Sequence, residues 1–179
     1  INFASVYALT GKKALFIGFD FRSPNELADF NLNPDTGITS YLVNNLPIEQ
    51  VIQKTYTKNL DILLSGPIPP NPDELIESDK TKMMFDDLRN KYDYIIIDTP
   101  PIGLFGDAFL LNKYCDATLF IVRHNFTRKK EFVSAINEAV ENQMNRLSIV
   151  YNDADIRLNE RNIRIYGEEA PKRFILFEL

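Results

Sequence analysis

The eight residues Tyr94-Ile95-Ile96-Ile97-Asp98-Thr99-Pro100-Pro101 constrain the fold more than any other stretch of the chain. Three consecutive β-branched isoleucines behind an aromatic residue leave no polar alternation. Such a run reads as a strand covered on both faces, the kind found in parallel sheets flanked by helices. It delivers a carboxylate, Asp98, where the strand should end, and Pro100 and Pro101 cannot continue a β-ladder. In open parallel sheets, ligands sit beyond the carboxyl ends of the strands. Asp98 is therefore either a ligand of nucleotide-bound Mg²⁺ or a cap on the following turn, and the run alone leaves both readings open.

Strands and helices alternate around this run. Residues 1–10 place Phe3, Val6 and Tyr7 at helical spacing, and Gly11 with Lys12 and Lys13 follows as a stop signal. Residues 14–17 (ALFI) form a buried strand that leads through Gly18 to Asp20 and Arg22. Short helices are expected over 37–44 and 47–54, and a third strand over 59–64. Pro67, Pro69, Pro70 and Pro72 then make a stiff connector, with Asn71 as the expected N-cap of a helix over 73–77. Residues 79–91 are amphipathic, with Met83, Met84, Phe85 and Leu88 on the apolar side, where methionine serves as core filler. After the central strand come a helix over 107–113, a strand over 117–122, a helix over 130–145 and a strand over 147–151. In the last helix Phe132, Ile136, Val140 and Met144 recur every four residues. Strands ending at Ile17, Leu64, Ile97, Val122 and Tyr151 should lie parallel in one sheet, a doubly wound α/β fold with helices on both faces.

Length and charge narrow the function classes. With 179 residues, 45% hydrophobic and 25% charged, the chain reads as one soluble globular domain with a sizeable core. A net charge of −5 argues against nucleic acid as the partner. A lone cysteine, Cys115, precludes an internal disulfide and suits a reducing compartment. No apolar run reaches membrane-spanning length, so any membrane attachment must come from another segment or partner. His124 and Cys115 read as structural residues.

The strand ends carry Asp20, Gly66, Asp98, Arg123 and Asn152, all expected on one rim of the sheet. Two acids there can hold a Mg²⁺ that keeps much of its water shell. Asn152 can pair with a base edge through its amide. Arg22 can bind phosphate or pair with an acid. A glycine-rich phosphate loop is not among these residues, since Gly11-Lys12-Lys13 precedes a strand instead of following one.

Residues 60–75, containing Gly66-Pro67-Ile68-Pro69-Pro70-Asn71-Pro72, resemble the "GPxPPNPxELL" segment of bacterial tyrosine kinases. These are the cytoplasmic domains of capsule and exopolysaccharide chain-length regulators. Residues 95–101 are similar to their Walker B run, Gly106-Asp107-Ala108 to their "TDA" segment, and 119–127 to their "LVVRxxxT" stretch. Ile149-Val150-Tyr151-Asn152 sits where they have "VVLN". ATPases of the ParA and MinD type share the Walker elements but not the proline-rich segment.

The resemblance implies a P-loop fold using ATP and Mg²⁺, with autophosphorylation of a C-terminal tyrosine cluster. It also implies ring-shaped homo-oligomers joined to a membrane-spanning activator, the polysaccharide co-polymerase domain, on the cytoplasmic side of the bacterial inner membrane. Asp98 matches the Walker B acid; Asp20 and Arg22 match the second acid and the arginine of the Walker A′ pattern. Asp20, Arg22 and Asp98 are thus the catalytic candidates, Asp20 and Asp98 the metal ligands, and Asn152 and Arg123 the nucleotide contacts. Residues 1–155 would form the kinase domain and 156–179 a tail, in which Tyr166 is the candidate phosphoacceptor. Three departures bear on activity. Gly18 replaces the first Walker A′ acid, the phosphate loop is expected just upstream of Ile1, and only Tyr166 stands where several tyrosines are usual. The chain as written is therefore expected to be inactive. The alternatives are a non-catalytic pseudokinase scaffold of the same assembly and a ParA/MinD-like ATPase switch. Phe174-Ile175-Leu176-Phe177 is unusually apolar for a tail and has no place in this scheme.

Overall fold

The structure, a computed structural model, describes residues 1–22, 30–154 and, as backbone, 175–178. Tyr166 and most of the tail lie outside the described residues.

A sheet of seven strands runs in the order β2-β3-β1-β4-β7-β5-β6. Its members are β1 (Ala14–Gly18), β2 (Gln53–Lys54), β3 (Leu60–Leu63), β4 (Tyr94–Thr99), β5 (Ala117–Arg123), β6 (Ser148–Asn152) and β7 (Ile175–Glu178). The five expected strands share one sheet and all run parallel, as do the pairings of β7 on both its sides. Only β2 is antiparallel, an edge ribbon on β3. It replaces the end of the helix expected over 47–54, which closes at Val51.

The isoleucine run explains the layering. Ile95, Ile96 and Ile97 are each no more than 1% exposed. Ile96 joins Ala14, Phe16, Leu60 and Ile62 in a core beneath α1 (Asn2–Leu9). Ile95 and Ile97 join Leu15, Ile17 and Leu63 in a larger core on the opposite face. That second face is covered by α2 (Ile38–Leu42), α3 (Ile48–Val51), α4 (Pro72–Glu77), α5 (Asp79–Lys91), α6 (Asp107–Asn112) and α7 (Lys129–Glu141). At about 1.5–3 kcal/mol for each fully buried side chain, three adjacent isoleucines fix both layers to one strand.

Helix faces differ from the sequence reading wherever small residues take the contact. In α1 the buried positions are Ala4 and Ala8, Val6 is 57% exposed, and the Tyr7 ring stacks on Tyr94 at 3.8 Å. In α7 Ala135 and Ala139 face the core, Phe132 and Ile136 pack beside them, and Val140 is exposed. Alanine lets a helix approach a sheet more closely than a branched residue does. In α5 Met84, Phe85 and Leu88 are buried, whereas Met83 is 65% exposed. Asn71 does occupy the N-cap of α4, but its amide donates to Glu74 Oε2 at 2.7 Å instead of accepting from the helix backbone.

One close backbone approach ties the glycines to the rim. The amides of Ile38 and Thr39 donate to the carbonyls of Leu64 and Ser65 at 2.8 and 2.9 Å. The Thr39 hydroxyl also donates to the Ser65 carbonyl, at 2.8 Å. A Cβ on Gly37 would lie 2.2 Å from the Leu64 oxygen. Gly66 adopts φ +77°, and a Cβ there would lie 2.5 Å from Thr39 Oγ1. Gly37→Ala is expected to lower stability by about 1–3 kcal/mol, read from the denaturant midpoint at unchanged slope. An unchanged midpoint would mean that α2 does not dock here.

Candidate functional site

Parallel pairing puts the carboxyl ends of six strands on one rim. The central pair is β1 and β4, where Gly18 stands opposite Asp98. The Phe19 amide donates to the Asp98 carbonyl at 2.7 Å and carries the pairing one residue past β1. Asp98 is 9% exposed and Thr99 4%. Two residues beyond Gly18, Asp20 Oδ1 accepts the Arg22 amide at 2.8 Å, an Asx-type turn that orients the carboxylate.

Arg22 pairs with acids. Its Nε donates to Asp107 Oδ2 at 3.3 Å and its Nη2 to Asp107 Oδ1 at 3.0 Å. Nη2 also donates to Asp73 Oδ1 at 2.6 Å. The guanidinium carbon lies 4.5 Å from the centre of the Phe105 ring. Its pKa is raised, chiefly by the hydrogen bond to Asp107. The two acids differ sharply in setting, for the Asp107 side chain is 1% exposed and that of Asp73 is 64% exposed. Removing one partner of a buried pair costs about 3–5 kcal/mol, whereas a solvent-exposed pair is worth about 0–1 kcal/mol. Asp107 is thus the anchor. Sequence reasoning placed Asp107 in a family-like segment without giving it a role, and missed Asp73 and Phe105. The one available signal was an acid at the start of each of two helices flanking the rim.

Arg123 and Asn152 stand opposite each other at the ends of β5 and β6, two and three strand positions from β4, beyond β7. Arg123 Nε donates to Asp153 Oδ2 at 3.0 Å, and its guanidinium lies 5.5 Å from the Phe126 ring. The Asn152 side chain is exposed. The rim therefore gathers Asp20, Arg22 and Asp98 in one group and Arg123 with Asn152 in another. His124 contacts the Tyr151 hydroxyl, and Cys115 is buried with its thiol pKa pushed up to about 12. The groove lined by Lys13, Lys54, Lys58, Lys91 and Tyr92 lies at the opposite end of β1 and β3.

Among the described residues no group of three or more His, Cys, Asp or Glu side chains forms a cage for a metal ion. Asp20 and Asp98 are two rim carboxylates on segments joined by the β1–β4 pairing, a donor chemistry that fits Mg²⁺ only if the ion retains waters. No helix among the described residues is long and apolar enough to cross a membrane.

The AAA domain family matches residues 1–149. The chain is 32% identical over 174 residues to the tyrosine-protein kinase CpsD of Streptococcus pneumoniae serotype 4, covering 97% of this chain and 77% of CpsD. It is 39% identical over 134 residues to the tyrosine-protein kinase YwqD of Bacillus subtilis, covering 75% of this chain and 56% of YwqD. Among solved structures, the chimerical protein CapA2B2 superposes with a TM-score of 0.80 at 35% identity, over 84% of this chain and 66% of that one. The matched span, the parallel sheet and an acid at the end of its central strand agree: the chain belongs to the AAA domain family, in the branch of the bacterial tyrosine-protein kinases.

Proposed function

We propose that this chain forms the catalytic domain of a bacterial protein-tyrosine autokinase that regulates capsular or exopolysaccharide assembly. The observation that carries the proposal is the β1–β4 pairing, which sets Asp98 beside Gly18 and within two residues of Asp20 at the open end of the sheet. ATP with Mg²⁺ would supply the transferable phosphoryl group and the cation that neutralises its charge. Asp98 and Asp20 would hold the metal through its waters, Asp98 fixed by its buried strand and Asp20 by its turn. Asn152 and Arg123, on the outer strands, are proposed to meet the base end of the nucleotide. Tyr166 is the proposed phosphoacceptor, residues 1–155 the kinase unit and 156–179 its tail. The kinase would act in a homo-oligomeric ring at the cytoplasmic face of the inner membrane, bound to a membrane-spanning activator.

Gly18 favours a second reading, a pseudokinase scaffold, because glycine supplies neither an anion for Mg²⁺ nor a proton acceptor for the tyrosine hydroxyl. Space is not the obstacle, since a Cβ at Gly18 would meet nothing within 4 Å.

The two readings separate in the full-length protein incubated with Mg-ATP and analysed for phosphotyrosine by mass spectrometry. Asp98→Asn is expected to weaken Mg²⁺-dependent nucleotide binding by about tenfold or more, with little change in melting temperature without nucleotide. Gly18→Asp is expected to raise phosphotyrosine at Tyr166. Phosphotyrosine before that substitution rejects the scaffold, and none after it rejects the kinase. A large loss of stability in Asp98→Asn with unchanged binding would make Asp98 a structural cap.

A further inference from the structure

The Arg22 guanidinium is only partly committed. Of its five N–H donors, the Nε–H and one on Nη2 go to Asp107, and the other on Nη2 goes to Asp73. Nη1 has no hydrogen-bond partner among the described residues, and the side chain is 29% exposed. Asp107 thus grips the Nε/Nη2 edge as a fork, and on the Nη1/Nη2 edge the described residues hold only the Nη2 donor, through Asp73. A phosphate binds that edge through two parallel N–H donors, one from each terminal nitrogen. The Nη2 donor it requires is the one held by Asp73.

We infer that Arg22 is a shared donor: Asp107 is the positioning residue that aims its free edge, and Asp73 is a displaceable ligand that a nucleotide phosphate replaces. This rests on the rim being a nucleotide site. The exposures of the two acids decide which one yields. Displacing the buried Asp107 would strand a carboxylate without solvent, whereas Asp73, 64% exposed, is rehydrated when released. Phe105 holds the guanidinium plane against rotation during the exchange. Asp73 lies in the first turn of α4, directly behind the proline-rich connector of Pro67 to Pro72. Phosphate binding would therefore free the first turn of α4 from its ion pair with the rim, and the occupied state would present that turn differently from the empty one.

The test uses the full-length protein, a fluorescent ADP analogue with Mg²⁺, and hydrogen–deuterium exchange over residues 72–77. Nucleotide is expected to increase exchange in α4 of the unsubstituted protein. Asp73→Asn, which removes the competing anion, is expected to tighten binding about two- to fivefold, the factor an exposed ion pair commands. It should also raise α4 exchange before nucleotide is added and so abolish the nucleotide-induced change. Asp107→Asn should weaken binding, with Asp107→Glu recovering part of the loss. An Asp73→Asn protein that binds no more tightly, or an α4 whose exchange ignores nucleotide, overturns this inference alone. No nucleotide binding by the unsubstituted protein overturns the nucleotide reading of the rim and this inference with it.

Discussion

The parallel hydrogen bonding of β1 to β4 is the interaction on which the rest depends. It carries Ala14, Phe16 and Ile96 to one face and Leu15, Ile17, Ile95 and Ile97 to the other, so it builds both cores at once. It also sets the register in which Asp98 stands opposite Gly18, and so decides which side chains can meet at the rim. A slip of one residue would move every isoleucine to the wrong face. The position of the acid is therefore protected by the burial of its strand.

The sheet's second half hangs on a less local interaction. β5 and β6 reach β4 only through β7, whose residues pair with Ile96–Thr99 on one side and with 117–120 on the other. Residues 175–178 thus have a physical account, as a strand whose backbone pairs along both edges. This also explains why the crossover from β4 through α6 to β5 passes over one strand position. The rim consequently has two groups, Asp20 with Arg22 and Asp98 on the β1–β4 side and Arg123 with Asn152 beyond β7.

The strands and their shared direction were legible because unbroken apolar runs bounded by glycine, proline and charge leave few alternatives. The rim acids were legible for the same reason, each lying just past such a run. The antiparallel ribbon β2 was not, since two residues, Gln53 and Lys54, carry no periodicity and pair only because β3 offers an edge. Nor was the place of β7, which depends on which slot the other strands leave open. The choice Arg22 makes between phosphate and acid was undecided because Asp73 and Asp107 lie 51 and 85 residues away from it. Packing reversed the expected roles of Val6, Met83 and Val140, where neighbouring alanines or adjacent core residues took the contact.

The central claim is that the carboxyl rim of β1 and β4 is the nucleotide–metal end of the molecule. Mn²⁺ replacing Mg²⁺ tests it directly, because the ion's unpaired electrons broaden amide resonances steeply with proximity. In the full-length protein with ADP, broadening should centre on residues 18–22 and 98–99, spare the opposite ends of β1 and β3, and be reversed by excess Mg²⁺. Broadening centred on residues 54–61, or none that depends on ADP, would contradict the account.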